Sequence, residues 1–396
     1  MKKLLCIYGK SQYDSTRLFL DEMMAVIEEQ GVSVDYLNCY DEEQFVRQRK
    51  EVEKNKYDAI FSINGLALEQ DSSLGRLLLH QPAVYCTMLM DHPMIHHERL
   101  KNAYPYILVL SPDHHHVNYL EQYYPNIWCE GFLAHGGNLA KTIVPYEDRS
   151  IDVSFMGSYV DPKQVEKRMQ KYPAQMRDLL QMAAQKMIAE TSLTLEQALH
   201  LVLQAQGFQG EIDGFSEIMA EFREVDRYVR SFYRDKVLRT LVDSGIVVDV
   251  YGDGWQNMQV KNPEMLHIHE RLDFQESLEV VANSKISLNV MPWFKSGSHD
   301  RVYTAMLCGA VCVTDSSDYL MEQCKDGEEI VFYRFDRLEE LPDLVKGLLA
   351  DDEKAKMIAR AGCNMAFERH TWGHRGLEVL EYLRTVEQIR DENVSH

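Results

Sequence analysis

The sequence predicts an α/β protein of two Rossmann-like domains, the second carrying a helical insert. Three observations predict it. The chain has 396 residues, long for a single hydrophobic core. Short apolar runs alternate with helical patterns in the first third, and the same alternation returns in the last part. Between Asp161 and Ser244 the pattern is helical alone. Strands alternating with helices imply parallel βαβ units in a doubly wound sheet.

In the first domain, the apolar run Lys3–Tyr8 reads as a buried strand. Ser15–Gln30 follows as a helix, with Leu18, Met23, Met24 and Ile27 on one face. Val32–Leu37 is the next strand, Glu42–Asn55 a charged helix, and Ala59–Ile63 a third strand. A short helix near Leu74–Leu79, strands Ala83–Met90 and Tyr106–Leu110, and helix His115–Tyr124 complete the series. The second domain starts with strand Ile151–Met156, which runs into Gly157 and Ser158. Strand Ile246–Tyr251 ends in Gly252, Asp253 and Gly254. Then come helix Gln275–Ala282, strand Ile286–Met291, helix Asp300–Cys308, and strands Ala310–Thr314 and Ile330–Tyr333. Helices over Leu338–Leu349 and Asp352–Phe367 close it. Within the insert, Ile218, Phe222, Val225, Val229, Phe232, Tyr233, Val237, Leu238 and Leu241 recur at helical spacing and predict one long amphipathic helix. The expected bounds are 1–148 for the first domain and 149–374 for the second, with the insert at 162–244.

Composition narrows the function. The apolar share is 45%, and no apolar run is long enough to span a membrane. The opening MKKLLCIY has too short an apolar stretch for an export signal, so a cytoplasmic protein is expected. Eight cysteines form no CxxC pair, which argues against a disulfide framework or a zinc knuckle. A net charge of −20 argues against a nucleic-acid partner, because phosphate backbones demand a basic surface. It leaves room for a small anion held by a few local donors.

Ligands of open α/β sheets sit beyond the carboxyl ends of the strands. The richest such segment is Gly297–Asp315, where a Gly-Ser loop opens a helix that Gly309 ends before a buried strand. A helix N-terminus offers free N–H groups and partial positive charge to a phosphate. Ser298, His299 and Arg301 lie at that point, and Arg301 can add a bidentate clamp. The plainer reading is a helix capped by Ser298 or Asp300, with Arg301 in solvent.

This segment resembles the donor-binding helix of group 1 glycosyltransferases, R-x-x-E-A-M-A-x-G followed by a strand. The closest likeness is to the spore-maturation-type branch that carries a group 1 transferase domain. Tyr251-Gly252-Asp253-Gly254-Trp255 resembles its G-x-G-W turn, Asp326-Gly327-Glu328-Glu329 its D-G-E-E segment, and Phe155-Met156-Gly157-Ser158 its F-x-G-S strand end. The resemblance covers most of 151–372 and implies the GT-B fold, two facing Rossmann-like domains. It also implies a nucleotide-sugar donor as substrate, no metal, and a last helix (375–396) that returns to the first domain. Gly157, Ser158, Ser298, His299 and Arg301 would then hold the diphosphate, and Gly252, Asp253, Gly254, Trp255, Glu328 and Glu329 the base and ribose. Many group 1 enzymes carry two glutamates with seven residues between them; Ser296 and Thr304 stand there instead.

On the acceptor side, Asp91 and His92 follow a buried strand of the first domain, where a hydroxyl needs a base. They also read as a turn before Pro93. His96 and His97 read as a helix facing solvent or the rim. Ala134-His135-Gly136 resembles a P-H-G segment of the family, which adds His135 to the candidates. The expected activity is sugar transfer (a hexosyltransferase-like enzyme) to a glycan, glycolipid, protein or small-molecule acceptor. A nucleotide-sugar epimerase and a catalytically silent GT-B scaffold are the alternatives. A third rival, a metal-dependent hydrolase, would gather His92, His96, His114, His116 and His135 with Asp91 and Asp113. A homo-oligomer is compatible with the sequence.

Overall fold

The computed structural model describes residues 1–10, 14–66, 68, 73–78, 81–104, 106–208, 210, 212 and 214–394. They form two compact units, 1–136 with 370–396, and 137–369.

In the first unit the elements run β1 (Lys3–Tyr8), α1 (Ser15–Glu29), β2 (Ser33–Asn38), α2 (Glu42–Lys54), β3 (Ala59–Ile63) and α3 (Ser73–Leu78). β4 (Val84–Met88), α4 (His97–Leu100), β5 (Ile107–Ser111), α5 (His114–Tyr123) and β6 (Cys129–Phe132) follow. The strands make one parallel sheet in the order β2-β1-β3-β4-β5-β6. β3, β4 and β5 are buried along their whole length, as strands covered by helices on both faces must be. The expected short helix ends at Leu78 among the described residues; Leu79 lies outside them.

The second unit begins with β7 (Ile151–Met156). Five helices follow it: α6 (Pro162–Met169), α7 (Ala174–Ala189), α8 (Leu195–Ala205), α9 (Phe215–Glu221) and α10 (Arg223–Asp243). Next come β8 (Val248–Tyr251), β9 (Leu266–His269), α11 (Phe274–Ala282), β10 (Ser284–Leu288), α12 (Asp300–Leu307), β11 (Val311–Asp315) and α13 (Asp318–Gln323). β12 (Val331–Tyr333), α14 (Leu341–Ala350) and α15 (Asp352–Arg369) end the unit. Its sheet is parallel, ordered β12-β11-β10-β7-β8-β9, and the strand order reverses between β7 and β10. The long helix expected over 218–241 is two helices: Phe222 leaves helical geometry (φ −82°, ψ 7°) between α9 and α10.

The chain then returns to the first unit as α16 (Trp372–Val394), packed on α1 with Trp372 stacked 4.2 Å from Phe19. The boundaries differ from the expected 148/149 and 374/375. Gly137 lies so close to Tyr303 that a Cβ would meet its carbonyl carbon at 2.5 Å. Asn138 N donates to Thr304 Oγ1 (3.2 Å) and Lys141 N to Glu279 (2.9 Å), which ties 137–141 to the second unit. Among the described residues no helix is long and apolar enough to cross a membrane.

Candidate functional site

In a doubly wound sheet the crevice opens where strand order reverses, at the carboxyl ends of the two strands flanking that point. In the second unit those strands are β7 and β10. Gly157 and Ser158 follow the first, and the loop 289–299 follows the second and leads into α12.

Gly157 adopts φ +146°, and arginines from two helices converge on it. A Cβ here would meet a terminal nitrogen of Arg301 at 3.1 Å and the guanidinium carbon of Arg234 at 3.8 Å. Arg301, in the first turn of α12, donates to Met156 O (2.5 Å). Arg234, on α10, donates to Ser158 O. Both guanidiniums lie over the Phe155 ring, 5.9 and 5.4 Å from its centroid. Arg230, one helical turn before Arg234, stacks on Trp293 of the β10–α12 loop at 3.9 Å and pairs with Asp226 (2.8 Å). Two guanidiniums thus lie together near the N-terminus of α12, in a chain of net charge −20.

The α12 cap is His299, not Ser298 or Asp300. Its Nδ1 lies 3.2 Å from Arg301 N and 3.3 Å from Arg301 Nε. The same nitrogen is 2.5 Å from Asp300 Oδ1. Without a proton on Nδ1 it caps the helix, and with one it pairs with Asp300; it cannot do both at once. Ser298 is 0% exposed, and its hydroxyl has no hydrogen-bond partner among the described residues.

The Gly252–Trp255 turn packs against the Gly157 loop. Gly252 (φ +138°) is so near that a Cβ would meet Gly157 O at 2.7 Å. Asp253 O accepts from Tyr159 N (2.8 Å). Trp255 is 0% exposed and donates from Nε1 to Gly157 O (2.9 Å). Its indole shapes the loop from beneath, so the expected role of framing a nucleobase does not hold for Trp255. Glu328 and Glu329 are corrected too. They precede β12 in a sheet whose strands all run parallel, which puts them at the edge opposite Gly157 and Gly252. There Glu329 accepts from Lys325 N (2.9 Å), and Glu328 is solvent-exposed beside Lys325. Thr304, standing where the group 1 family has a glutamate, is buried and takes the Asn138 N–H.

The β10–α12 loop is braced by the neighbouring strands. Asp315 Oδ1 accepts from Met291 N (2.7 Å), Tyr333 OH donates to Asn289 O (2.9 Å), and Ser317 Oγ donates to Gly297 O (2.5 Å). Burial pushes the Asp315 carboxyl up to about 7, against the lowering effect of the Met291 N–H and the nearby Lys295. The folded state therefore holds this proton more tightly than the unfolded chain. The stabilisation is complete below about pH 4 and is lost as pH rises through about 7, on the order of 4 kcal/mol in all. Asp315→Asn keeps an acceptor without the charge. Its stability advantage over wild type should be near zero at pH 4, grow to pH 7 and then level off, read by thermal melts across pH.

In the first unit, Asp91 follows β4 beside Asn64, whose left-handed backbone (φ +59°) ends β3 and whose Oδ1 accepts from Met90 N (2.8 Å). His92 is buried, its ring 4.6 Å from His116 and 4.8 Å from Tyr119. Its Nδ1 accepts from Met94 N (3.1 Å), capping a short 3-10 turn. His96 and His97 are likewise not a solvent face: His97 is buried with Nδ1 2.8 Å from Tyr124 OH, and desolvation holds His96 down at about 4. His135 is 1% exposed, 6.1 Å from the Trp372 ring, and its carbonyl accepts from Arg375 Nε (3.3 Å). Asp113 caps α5 through His115 N (2.8 Å), and His114 stacks on Phe132 at 3.8 Å. Among the described residues no three His, Cys, Asp or Glu side chains are grouped to hold a metal ion.

Arg234 and Arg230 are the residues that motif reading missed. The sequence does hold a signal for them, two arginines four apart in a helical pattern, but nothing in it says which loops they meet.

Residues 230–381 match the family model described as "Glycosyl transferase-like". None of the curated proteins matches at a significant level. Among solved structures, HepE of Anabaena, in complex with UDP and glucose, is similar over 97% of this chain and 100% of that one. Its TM-score is 0.53 at 12% identity. T4 phage β-glucosyltransferase with its UDP-glucose substrate covers 98% and 99% (TM-score 0.57, 13% identity). Sucrose-phosphate synthase of Thermosynechococcus elongatus covers the same shares (TM-score 0.53, 12% identity). The chain has the GT-B fold, and its residues 230–381 resemble the glycosyl transferase-like family.

Proposed function

We propose that this protein is a glycosyltransferase that takes a sugar from a nucleotide-sugar donor without a metal ion. The observation that carries the reading is the convergence of Arg301, Arg234 and the α12 N-terminus on Gly157, at the point where the strand order of the second sheet reverses. A nucleoside diphosphate fits this chemistry. Its two phosphoryl groups would meet two guanidiniums at the positive end of the α12 dipole. As the bond from the sugar's anomeric carbon to the diphosphate breaks, negative charge grows on the leaving oxygen, and those fixed charges stabilise it. This is the work a divalent cation would otherwise do. The likeness to structures that hold UDP and UDP-glucose supports a UDP-sugar as the first donor to try.

The acceptor side is assigned to the first unit, with Asp91 as the base. It follows β4 at that strand's carboxyl end, and a carboxylate can take the proton of an acceptor hydroxyl. His92 spends its Nδ1 on a cap, and His135 is sealed beneath α16. In the transfer, the acceptor oxygen bonds to the anomeric carbon, its proton passes to Asp91, and the nucleoside diphosphate leaves. The acceptor is a hydroxyl-bearing glycan, glycolipid, protein side chain or small molecule.

A thermal-shift screen tests the donor reading, using UDP-, GDP-, TDP- and CMP-sugars with and without EDTA. Ligand at a hundred times its dissociation constant adds about 2.7 kcal/mol of stability. The expected result is a shift with one nucleotide class, unchanged by EDTA. No shift with any nucleotide would sink the donor reading, and a shift abolished by EDTA would sink metal independence.

A further inference from the structure

We infer that the groove between the helical insert and the start of α14 binds a neutral oligosaccharide, the acceptor chain of the transfer or its extended product. This rests on the transferase reading above and adds a second ligand site to it. The groove has a volume of about 920 Å³, within the range of about 300–1,000 Å³ usual for ligand pockets. It is bounded by the end of α7 and the turn after it, by one face of α10, and by residues 335–342. On α10, Tyr233, Lys236, Thr240 and Asp243 recur at steps of three and four residues and so share that face. From Tyr233 to Asp243 the helix rises about 15 Å, longer than a single sugar ring. The walls are tied together. Tyr233 OH donates to Ile188 O (3.0 Å), and its ring lies 4.0 Å from that of Phe335. Arg239 is held in place by Asp235 (2.7 and 3.0 Å).

The lining suits a polyhydroxyl chain rather than an ion. Its cations are Lys236, Arg239 and Lys261. Its carboxylates are Glu190, Asp243, Asp336 and Glu339. In a chain of net charge −20 the groove is thus close to balanced, and neither an anion nor a cation meets a surface of one sign. Side chains of both signs, with the hydroxyls of Ser192 and Thr240, bring donors and acceptors together, and each sugar hydroxyl both donates and accepts. Phe335, half-buried against Tyr233, adds an apolar surface for the C–H face of a sugar ring. Lys236 and Glu339 are exposed and, among the described residues, in no ion pair, so a ligand reaches them without breaking one. The groove also shares parts with the donor site. α10 brings Arg234 to Ser158 O and, one residue earlier, Tyr233 to the groove. Lys295, in the β10–α12 loop, donates from Nζ to Thr191 O (2.5 Å) in the groove wall. A chain bound here is anchored on the unit that carries the two converging arginines.

Calorimetric titration with cellohexaose, maltohexaose, laminarihexaose and chitohexaose tests the inference. A sulfated heparin hexasaccharide is the anionic comparison, and UDP reports on the donor site. One of the neutral hexasaccharides should bind the wild-type protein without any nucleotide. Lys236→Ala and Glu339→Gln, both at exposed positions, should each weaken it by about fivefold while leaving UDP within about twofold. Neither variant should lower the melting temperature. Binding by none of the four, or binding as tight in both variants as in wild type, would overturn the inference. Tighter binding of the sulfated chain, lost in Lys236→Ala, would overturn it in favour of an anion site. If a neutral hexasaccharide binds as expected and no nucleotide binds at all, the donor reading falls and the carbohydrate groove stands, so the two failures are told apart.

Discussion

Arg301→Ala is expected to weaken nucleoside diphosphate binding by roughly 10- to 100-fold, the loss of hydrogen bonds from a charged donor to a charged ligand. Arg234→Ala should fall in the same range. The two guanidiniums lie on the same Phe155 ring and face the same glycine, so the double variant should lose less than the product of the single effects. Arg301→Lys keeps the charge but not the planar fork, and should recover part of the binding. Calorimetry with UDP and UDP-glucose measures this. Arg301 also braces Met156 O, so the competing account is a purely structural one. That account predicts a lower melting temperature without ligand and an unchanged dissociation constant. An unchanged constant in both arginine variants would remove the anion site from the second unit.

Asp91→Asn should lower turnover by about 10²- to 10⁴-fold, the usual worth of a positioned base. Donor binding should hold, because Asp91 belongs to the first unit and the anion site to the second. A screen of acceptors with the donor found by thermal shift would first establish an assay, followed by single-turnover rates at saturating donor. His92→Gln is the companion variant. Its side-chain oxygen offers an acceptor to Met94 N, so it should cost little in rate or stability if the cap is the residue's task. A rate lost with His92→Gln and kept with Asp91→Asn would reverse the two roles.

The contrast between Trp255 and Arg234 shows how far motif reading reaches. The turn Gly252–Trp255 was legible because glycines at positive φ leave a mark in the sequence that other residues cannot replace. What the indole does there was not legible. A tryptophan after a strand looks the same whether it stacks on a base or, as here, carries a backbone carbonyl from below. Glu328 and Glu329 show the same limit in topology. Sequence order puts them near a strand, but only the strand's direction tells which edge of the sheet they occupy.

Two strands escaped the sequence as well. β6 (Cys-Glu-Gly-Phe) and β9 (Leu-His-Ile-His) are four-residue edge strands, each sheltered on one side only, so neither shows the apolar run that marks the interior strands. The domain bounds moved for a related reason. No composition change marks Gly137; the close approach of its backbone to Tyr303 assigns it, and that contact spans more than 160 residues of sequence.

The sequence alone determined the two βαβ series, the helical insert between β7 and β8, and the Gly157, Gly252 and Ser298–Arg301 segments at strand ends. All of these depend on local periodicity and on residues with special backbone freedom, which neighbours in the chain reveal. Tertiary structure alone decided the strand order with its reversal at β7 and β10, the return of α16 to α1, and the delivery of Arg230 and Arg234 from the insert. It also decided which histidine nitrogens were already spent on caps. These follow from which surfaces bury against each other across long stretches of chain, and a hydrogen bond or a shared ring between distant residues leaves no periodic trace in either.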